Sequence, residues 1–501
     1  MATLSNMSTA SLWPMLTLRL LAIAILSVSV IAQEPTPEAT PAPAIEPQPD
    51  PRQAAIDRCF APWDRGDSPG AAVGVIQRGE LLFARGYGLA DLEHGIPIEI
   101  DTVFDLASVS KQFCAYAVAL LAERGQLSLD DDVRRHLPWV PDFGAVITLR
   151  HLVHHTSGLR DWPATLAAAG YRYDDVIAQP QILELVRHQR RLNFAPGSKH
   201  LYSNTGYNLL AEVVAVVAGV DYRRFCDDQM FAPLAMHDTH VHDAHDEVVP
   251  RLARSYRREG GHWRLAGNHL TALGSSSQFS TVRDLARWAS ELEDGIVGGA
   301  AMVARMAERG VLGDGSACNY GFGLQSGRRG ARPTVSHSGS WAGYRSCFLR
   351  LPEQGLTVVV LANASNLPAV RLAEQVADLW LDGEVAAAPE PKAAAPAAVP
   401  SVPAAVAPAP SARMLDAAVG TYRSEELDCS YRIERVGEAL VLRHRRTGEH
   451  PLRPLAADRF AVRLPGITEL RLLLEGDAVV GFALSGGRVV ELAFARVAAG
   501  Q

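Results

Sequence analysis

Apolar and polar positions first fall into a readable pattern near residue 71. The apolar run Ala71–Ile76, the polar turn Gln77-Arg78-Gly79 and a second run Leu81-Leu82-Phe83-Ala84 predict a β-hairpin. From Ser108 to Arg124 the apolar residues recur at helical spacing, with Phe113, Tyr116, Ala117 and Leu120 on one side and Gly125 as terminator. Further helical patterns cover Leu209–Val217 and Val282–Leu292, and strand character returns at Thr334-Val335, Ser346–Leu351 and Leu356–Leu361. Strands at both ends with helices between predict an α+β arrangement: an antiparallel sheet closed by chain-terminal strands around an inserted helical region. After residue 412 the rhythm shortens. The runs Tyr431–Arg435, Ala439–Arg443, Leu470–Leu474, Val479–Leu484 and Val489–Phe494, separated by turn residues, predict a small antiparallel β-barrel or sandwich in which no cluster of chemistry-bearing side chains is evident.

Two proline-rich stretches divide the 501 residues. Glu34–Pro51 and Val385–Ala412 hold seven prolines each, a composition that favours extended spacer rather than core. Ahead of them, Arg19 precedes the apolar run Leu20–Ile31, which ends in Val30-Ile31-Ala32, the layout of a secretory signal. An uncleaved anchor is the rival reading, but the run from Leu16 to Ala32 contains Arg19 and is marginal for ~30 Å of hydrocarbon. The expected organisation is therefore a signal peptide (1–32), a linker (33–52), a large unit (53–384), a second linker (385–412) and a small barrel (413–501). Export to the periplasm or medium follows, with membrane contact only through the signal segment if it is not cleaved.

Composition narrows the partners. Forty-eight basic against 55 acidic residues give a net charge of −7, without a long basic run, so the electrostatic footprint of a nucleic-acid binder is missing. Only three of the basic residues are lysine, Lys111, Lys199 and Lys392. Arginine stays protonated, whereas a desolvated lysine can act as a base, so a lysine beside a nucleophile is informative here. The six cysteines show no C-x-x-C pair; buried thiols with one or two disulfides of unreadable pairing are expected.

Ser108-Val109-Ser110-Lys111 puts a hydroxyl and an amine one helical turn apart at a helix start, where free N–H groups favour an oxyanion. With 30 serines and three lysines, roughly 0.2 such pairs are expected by chance. A capping serine beside an exposed lysine is the alternative. Tyr202 and Asn204 flank Ser203 in a loop after Ala195-Pro196-Gly197, so a phenol and an amide can enter one cleft, although loop packing accounts for the tyrosine alone. In Val335–Ser340, His337 and Gly339 share one side of a strand; glycine permits close approach of a second backbone, and an ordinary core or surface histidine is the alternative for His337. His151, His154 and His155 have helical spacing but lack the glutamate of H-E-x-x-H, so no metal is expected.

The order S-x-x-K, Y-x-N, H-x-G over residues 108–339 resembles the serine β-lactamase and penicillin-binding-protein superfamily, in its class C-like branch. The stretches Ile147–Leu159, Phe194–Gly197 leading into Tyr202–Tyr207, and His337–Gly343 are similar to that branch too, and Gly420–Leu427 resembles the small lipocalin-like barrel attached to some of its hydrolases and D-aminopeptidases. The resemblance implies the β-lactamase/transpeptidase-like fold and an acyl-enzyme on Ser108, with Lys111 and Tyr202 moving its proton. It implies that Asn204 holds the substrate amide or Lys111, that the Ser108 and Ser340 N–H groups form the oxyanion hole, and that His337 and Gly339 belong to the substrate-binding strand. No cofactor is implied. β-Lactamases of this branch carry K-T-G where His337-Ser338-Gly339 stands, so the expected substrates are small peptides, D-amino-acid derivatives, amides or esters. Arg345 is a candidate to restore the missing charge. A true β-lactamase and a catalytically silent binder of peptidoglycan or acyl compounds are the alternatives.

Overall fold

The computed structural model describes residues 50–382 and 409–498. The expected signal peptide, most of the first linker and the second linker as far as residue 408 lie outside the described residues. The described residues belong to one compact unit that begins at Asp50. Its first helix, α1 (Pro51–Phe60), starts inside the expected linker: the Asp50 carboxylate caps it and proline occupies the first helical position, where a missing N–H costs nothing. Helix Ala412–Ala418 likewise begins on the last residue of the second linker.

Six antiparallel strands form the main sheet: β1 (Ala71–Gln77), β2 (Glu80–Tyr87), β3 (Gln325–Arg329), β4 (Arg332–Trp341), β5 (Tyr344–Leu351) and β6 (Leu356–Ala362), in the spatial order β3-β4-β5-β6-β1-β2. Pairing of β1 with β6, Ala71 opposite Ala362 and Gln77 opposite Leu356, closes the sheet between distant parts of the chain, as the pattern predicts. Alternation along these strands feeds two cores. Val73, Val75, Val358 and Val360 pack on one face beneath α1 and the C-terminal helix Ala369–Asp382. Ala72, Ile76, Val359 and Leu361 join the larger core on the other face, with Phe113, Tyr116 and Trp288 from the inserted helices. Covered on both faces, the strands can be apolar on both.

The inserted region supplies α2 (Lys111–Glu123), α3 (Trp162–Ala168), α4 (Asn204–Ala218) and α5 (Val282–Asp294). Beyond residue 419, eight strands close into an antiparallel barrel. Five match the sequence pattern; Gly420–Ser424, Gly448–Pro454 and Arg459–Leu464 were not legible. Gly448–Pro454 has a single buried residue and two prolines, so it carries almost no alternation.

The barrel packs on α3. Ala164 and Ala168 enter its core beside Tyr422, Tyr431 and Phe482, and the Tyr431 hydroxyl donates to the Ala168 carbonyl at 3.0 Å. Arg160, just before α3, forms a buried ion pair with Glu426 and donates to the Val490 carbonyl at 3.1 Å. All six cysteines are free thiols, four of them buried, so the expected disulfides do not form. No helix among the described residues is long and apolar enough to cross a membrane.

Candidate active site

Ser108 does not begin the α-helix, as its pattern predicts, but lies in a single 3-10 turn, Ala107–Ser110, that feeds into α2. Ala107 is held at φ +47°, a conformation costly for any residue with a Cβ. Two contacts fix it. The Asp105 carboxylate accepts the Ala107 N–H at 2.7 Å and an Asn268 amide N–H at 2.9 Å, and burial pushes this carboxyl up to about 6. Gly339 of β4 lies directly behind: a Cβ there would stand 2.2 Å from both the Leu106 carbonyl oxygen and the Ser346 Oγ. Gly339 is thus required by the approach of the serine turn and sits behind the cleft rather than in its lining.

Lys111 is fully buried on the first turn of α2. Its Nζ meets three acceptors: Ser108 Oγ at 3.1 Å, Asn204 Oδ1 at 2.8 Å and the Ser275 carbonyl at 2.6 Å. Desolvation pulls its pKa down to about 7, the nearby Asp161 opposing and Arg488 assisting. Asn204 Oδ1 and the Ser275 carbonyl can only accept, so when Nζ is neutral its two hydrogens go to them and its lone pair is left for the Ser108 hydroxyl. The cradle therefore directs proton exchange to Ser108. Ser275 is a residue that sequence reasoning missed, because it contributes only its backbone.

Tyr202 stands beside both groups, its ring 4.9 Å from Lys111 Nζ, and burial raises its phenol above the ordinary value while Ser108 lowers it. His155, at φ +58°, packs its ring 4.3 Å from the Tyr202 ring at a tilt of 40° and accepts the Ser203 N–H through Nδ1 at 3.2 Å, fixing the segment that carries the phenol. Asn204 begins α4. Its backbone N–H and side-chain Nδ2 both donate to Asp161 Oδ1, at 2.7 and 2.9 Å, which turns Oδ1 of the amide toward Lys111.

The barrel also reaches this point. Arg488, in the turn between strands Ala478–Gly486 and Val489–Arg496, donates to Asp161 Oδ2 at 3.0 Å and lays its guanidinium 4.6 Å from the centre of the Tyr202 ring. The turn is anchored by Asn193, which donates to the Arg488 carbonyl at 3.0 Å and accepts the Val490 N–H at 2.9 Å. The small unit, in which no cluster of chemistry-bearing side chains is expected, thus brings a single side chain to the site. No sequence signal marks Arg488, one of 45 arginines, because its partners are up to 327 residues away.

A cleft of about 950 Å³ opens over these groups, and Ser108, Tyr202, Asn204, His337, Ser340 and Arg488 all line it. Pairing of β3 with β4 ends at Gln325 opposite Ser336, so from His337 onward that edge of β4 has no β3 partner. It is a ready position for an extended substrate backbone. The His337 Nδ1–H donates to the Ser338 carbonyl at 2.7 Å and Nε2 accepts from the Tyr320 hydroxyl at 3.0 Å. Burial and Lys111 push His337 down to about 3, so it brings no positive charge. Arg345 turns its guanidinium to the Ala342 and Tyr344 carbonyls and does not line the cleft.

The three histidines of the 151–155 stretch do not converge on a metal-sized site. Helix Leu149–Val153 ends before His154; His151 closes a capping box with Thr148, and His154 packs on Phe322. Elsewhere, His240, His242 and Glu247 place one ligand atom each within 4.8 Å of one another, but Arg223 already donates to both Glu247 oxygens at 2.8 Å.

The β-lactamase family model matches residues 55–379. The chain belongs to the β-lactamase family. That membership covers the sheet, the inserted helices and every site group except Arg488, and puts the protein among serine hydrolases related to penicillin-binding proteins and D-aminopeptidases. Penicillin-binding protein 4* of Bacillus subtilis (strain 168) is 30% identical over 301 residues, 57% of this chain and 66% of that protein. A D-aminopeptidase of Gluconobacter oxydans (strain 621H) is 27% identical over 384 residues, 76% of this chain and 68% of its own length. The chain thus spans about two thirds of these relatives, and 56% of the Brucella anthropi D-aminopeptidase. Among solved structures, the octameric penicillin-binding protein homologue from Pyrococcus abyssi shares the fold at TM-score 0.59 and 22% identity, covering 88% of this chain and 98% of that one. The D-amino acid amidase from Ochrobactrum anthropi SV3 follows at TM-score 0.54 and 26% identity, covering 63% and 91%.

Proposed function

We propose that the protein is an exported serine hydrolase that cleaves small amides, peptides with D-residues among them, or esters through an acyl-enzyme on Ser108. The observation that carries this is the buried Lys111 Nζ, 3.1 Å from Ser108 Oγ, with its remaining contacts limited to acceptors. Ser108 Oγ attacks the carbonyl carbon as its proton passes to neutral Lys111. The oxyanion is received by the Ser108 and Ser340 N–H groups, and the lysine proton, with Tyr202 as relay, goes to the departing nitrogen or oxygen. Water then releases the acyl group along the same path in reverse. Asn204, oriented by Asp161, holds Lys111 in line. The free edge beyond His337 takes the substrate backbone. The relatives named D-aminopeptidase and D-amino acid amidase support amide substrates. The neutral His337 disfavours a β-lactamase that relies on a charge at that position.

Intact-mass spectrometry with a fluorophosphonate probe and with a penicillin, on wild type and Ser108→Ala, tests the reading. One probe adduct on wild type and none on Ser108→Ala, with slow or absent penicillin turnover, is the expected result. Rapid penicillin hydrolysis would assign a β-lactamase instead, and no adduct on either protein would leave only a silent binder. Export is tested by fractionation, with a mature N-terminus at Gln33 expected.

A further inference from the structure

The charges of the cleft are lopsided. Among the described residues that line it, Arg488 is the one with a formal charge at neutral pH, and no carboxylate is among them. Asp161, bonded to two of the lining residues, is 3% exposed and fully engaged: Oδ1 accepts twice from Asn204 and Oδ2 accepts from Arg488. A substrate ammonium entering here would find no anion and would meet a guanidinium. Arg488 in contrast has capacity left. Its side chain is 46% exposed, and among the described residues its guanidinium hydrogen-bonds only through one Nη1 contact to Asp161 while its face rests on Tyr202. Stacking and ion pairing hold the guanidinium in place, and Nε and Nη2 remain as donors without a partner among the described residues. The wall beside it is aromatic, with Trp341 5.7 Å from Trp162 and 5.6 Å from Tyr173.

We infer that Arg488, delivered by the barrel, forms an anion subsite on the Tyr202–Asn204 side of the cleft, and that the preferred substrates carry a carboxylate there rather than a free ammonium. The inference rests on the serine-hydrolase reading and narrows its substrate class. It also gives the barrel a role in selectivity, since the same turn that closes over Asp161 presents the cation.

Three p-nitrophenyl esters of matched length provide the test: the glutarate monoester, the neutral pentanoate and the 5-aminopentanoate. Wild type is expected to favour the glutarate over the pentanoate by about 10- to 100-fold in kcat/KM, the range that a charge-assisted hydrogen bond supplies, and to disfavour the amino ester. Arg488→Gln should bring the glutarate-to-pentanoate ratio close to one, and Arg488→Lys should restore part of it. An equal ratio in wild type, or a ratio that survives Arg488→Gln while both rates fall together, would overturn the subsite and leave Arg488 a positioning residue for Asp161. Calorimetric binding of free glutarate to Ser108→Ala separates the two readings, because it needs no catalysis. Glutarate bound by Ser108→Ala, more weakly by Ser108→Ala, Arg488→Lys and not by Ser108→Ala, Arg488→Gln sustains the subsite even if no ester is cleaved. Failure of Ser108→Ala to bind it sinks the subsite even if esters are cleaved.

Discussion

The pH dependence of Ser108 reactivity follows from how deeply Lys111 is buried. An ordinary lysine, with a pKa near 10.5, would be neutral in about one molecule in 3,000 at pH 7; with the pKa pulled down to about 7 by desolvation, about half the molecules hold the free amine. The difference corresponds to ~5 kcal/mol of preference for the neutral form. Because the neutral amine is the base, the labelling rate of Ser108 by a fluorophosphonate should rise with pH through a midpoint near 7 and level off above it. His337 titrates near 3, and burial holds His155 and His200 below their usual value and Tyr202 above its own, so none of these supplies that midpoint. Asp105, near 6, is the neighbour that could imitate it, and Asp105→Asn is the control. The sign is checked by two variants. Asp161 raises the pKa of Lys111 and Arg488 lowers it, so Asp161→Asn should move the rising limb to lower pH and Arg488→Gln to higher pH, whatever each does to the plateau. A flat profile between about pH 5 and 9, a midpoint near 10, or two variants that shift the limb the same way would refute the assignment of Lys111 as the base.

Gly339→Ala should cost ~1–3 kcal/mol and abolish labelling of Ser108, because the new methyl meets the unyielding Leu106 backbone as well as the Ser346 hydroxyl; thermal unfolding and probe adduct read the two effects. Arg160→Met leaves Glu426 buried without its partner and should destabilise by ~3–5 kcal/mol in denaturant unfolding, with the double Arg160→Met, Glu426→Leu variant recovering most of the loss. Without reductant, denatured protein should react with six equivalents of a thiol reagent; a smaller count would mean a disulfide absent from this structure.

Much of the fold is legible from periodicity because both cores are built by it. The apolar runs of β1 and β6 and the helical spacing after Ser108 are consequences of burial on defined faces, and burial writes itself into sequence. The serine and lysine were legible for another reason: they are local, three residues apart, and only three lysines compete for attention. Tyr202, Asn204 and His337 could be placed in one cleft only through the motif order, since no local signal joins residues this far apart. What escaped is backbone and long-range contact. The strained Ala107 reads as an ordinary alanine, the Ser275 carbonyl carries no side-chain mark, and the turn that delivers Arg488 differs in no visible way from other glycine-containing hairpins of the barrel.

The exchange of charge between two walls of the cleft links these points. Replacing a cationic residue at position 337 by a histidine held neutral removes a fixed charge from the β4 side, where the Tyr320 hydroxyl and Ser338 carbonyl now complete a closed hydrogen-bond arrangement. Lys111 gains from that loss, because a cation at position 337 would depress its pKa further, as the Coulombic push of Lys111 on His337 implies in reverse. A positive charge is nevertheless present, brought from the barrel by Arg488 and buffered by Asp161, so that its effect on Lys111 is offset by a carboxylate that raises the same pKa. His337→Lys is therefore expected to move the rising limb of the pH profile to lower pH, while Arg488→Gln moves it upward. If His337→Lys left the limb in place, the two walls would not be electrostatically coupled through Lys111, and Arg488 would have to be understood as a substrate contact alone.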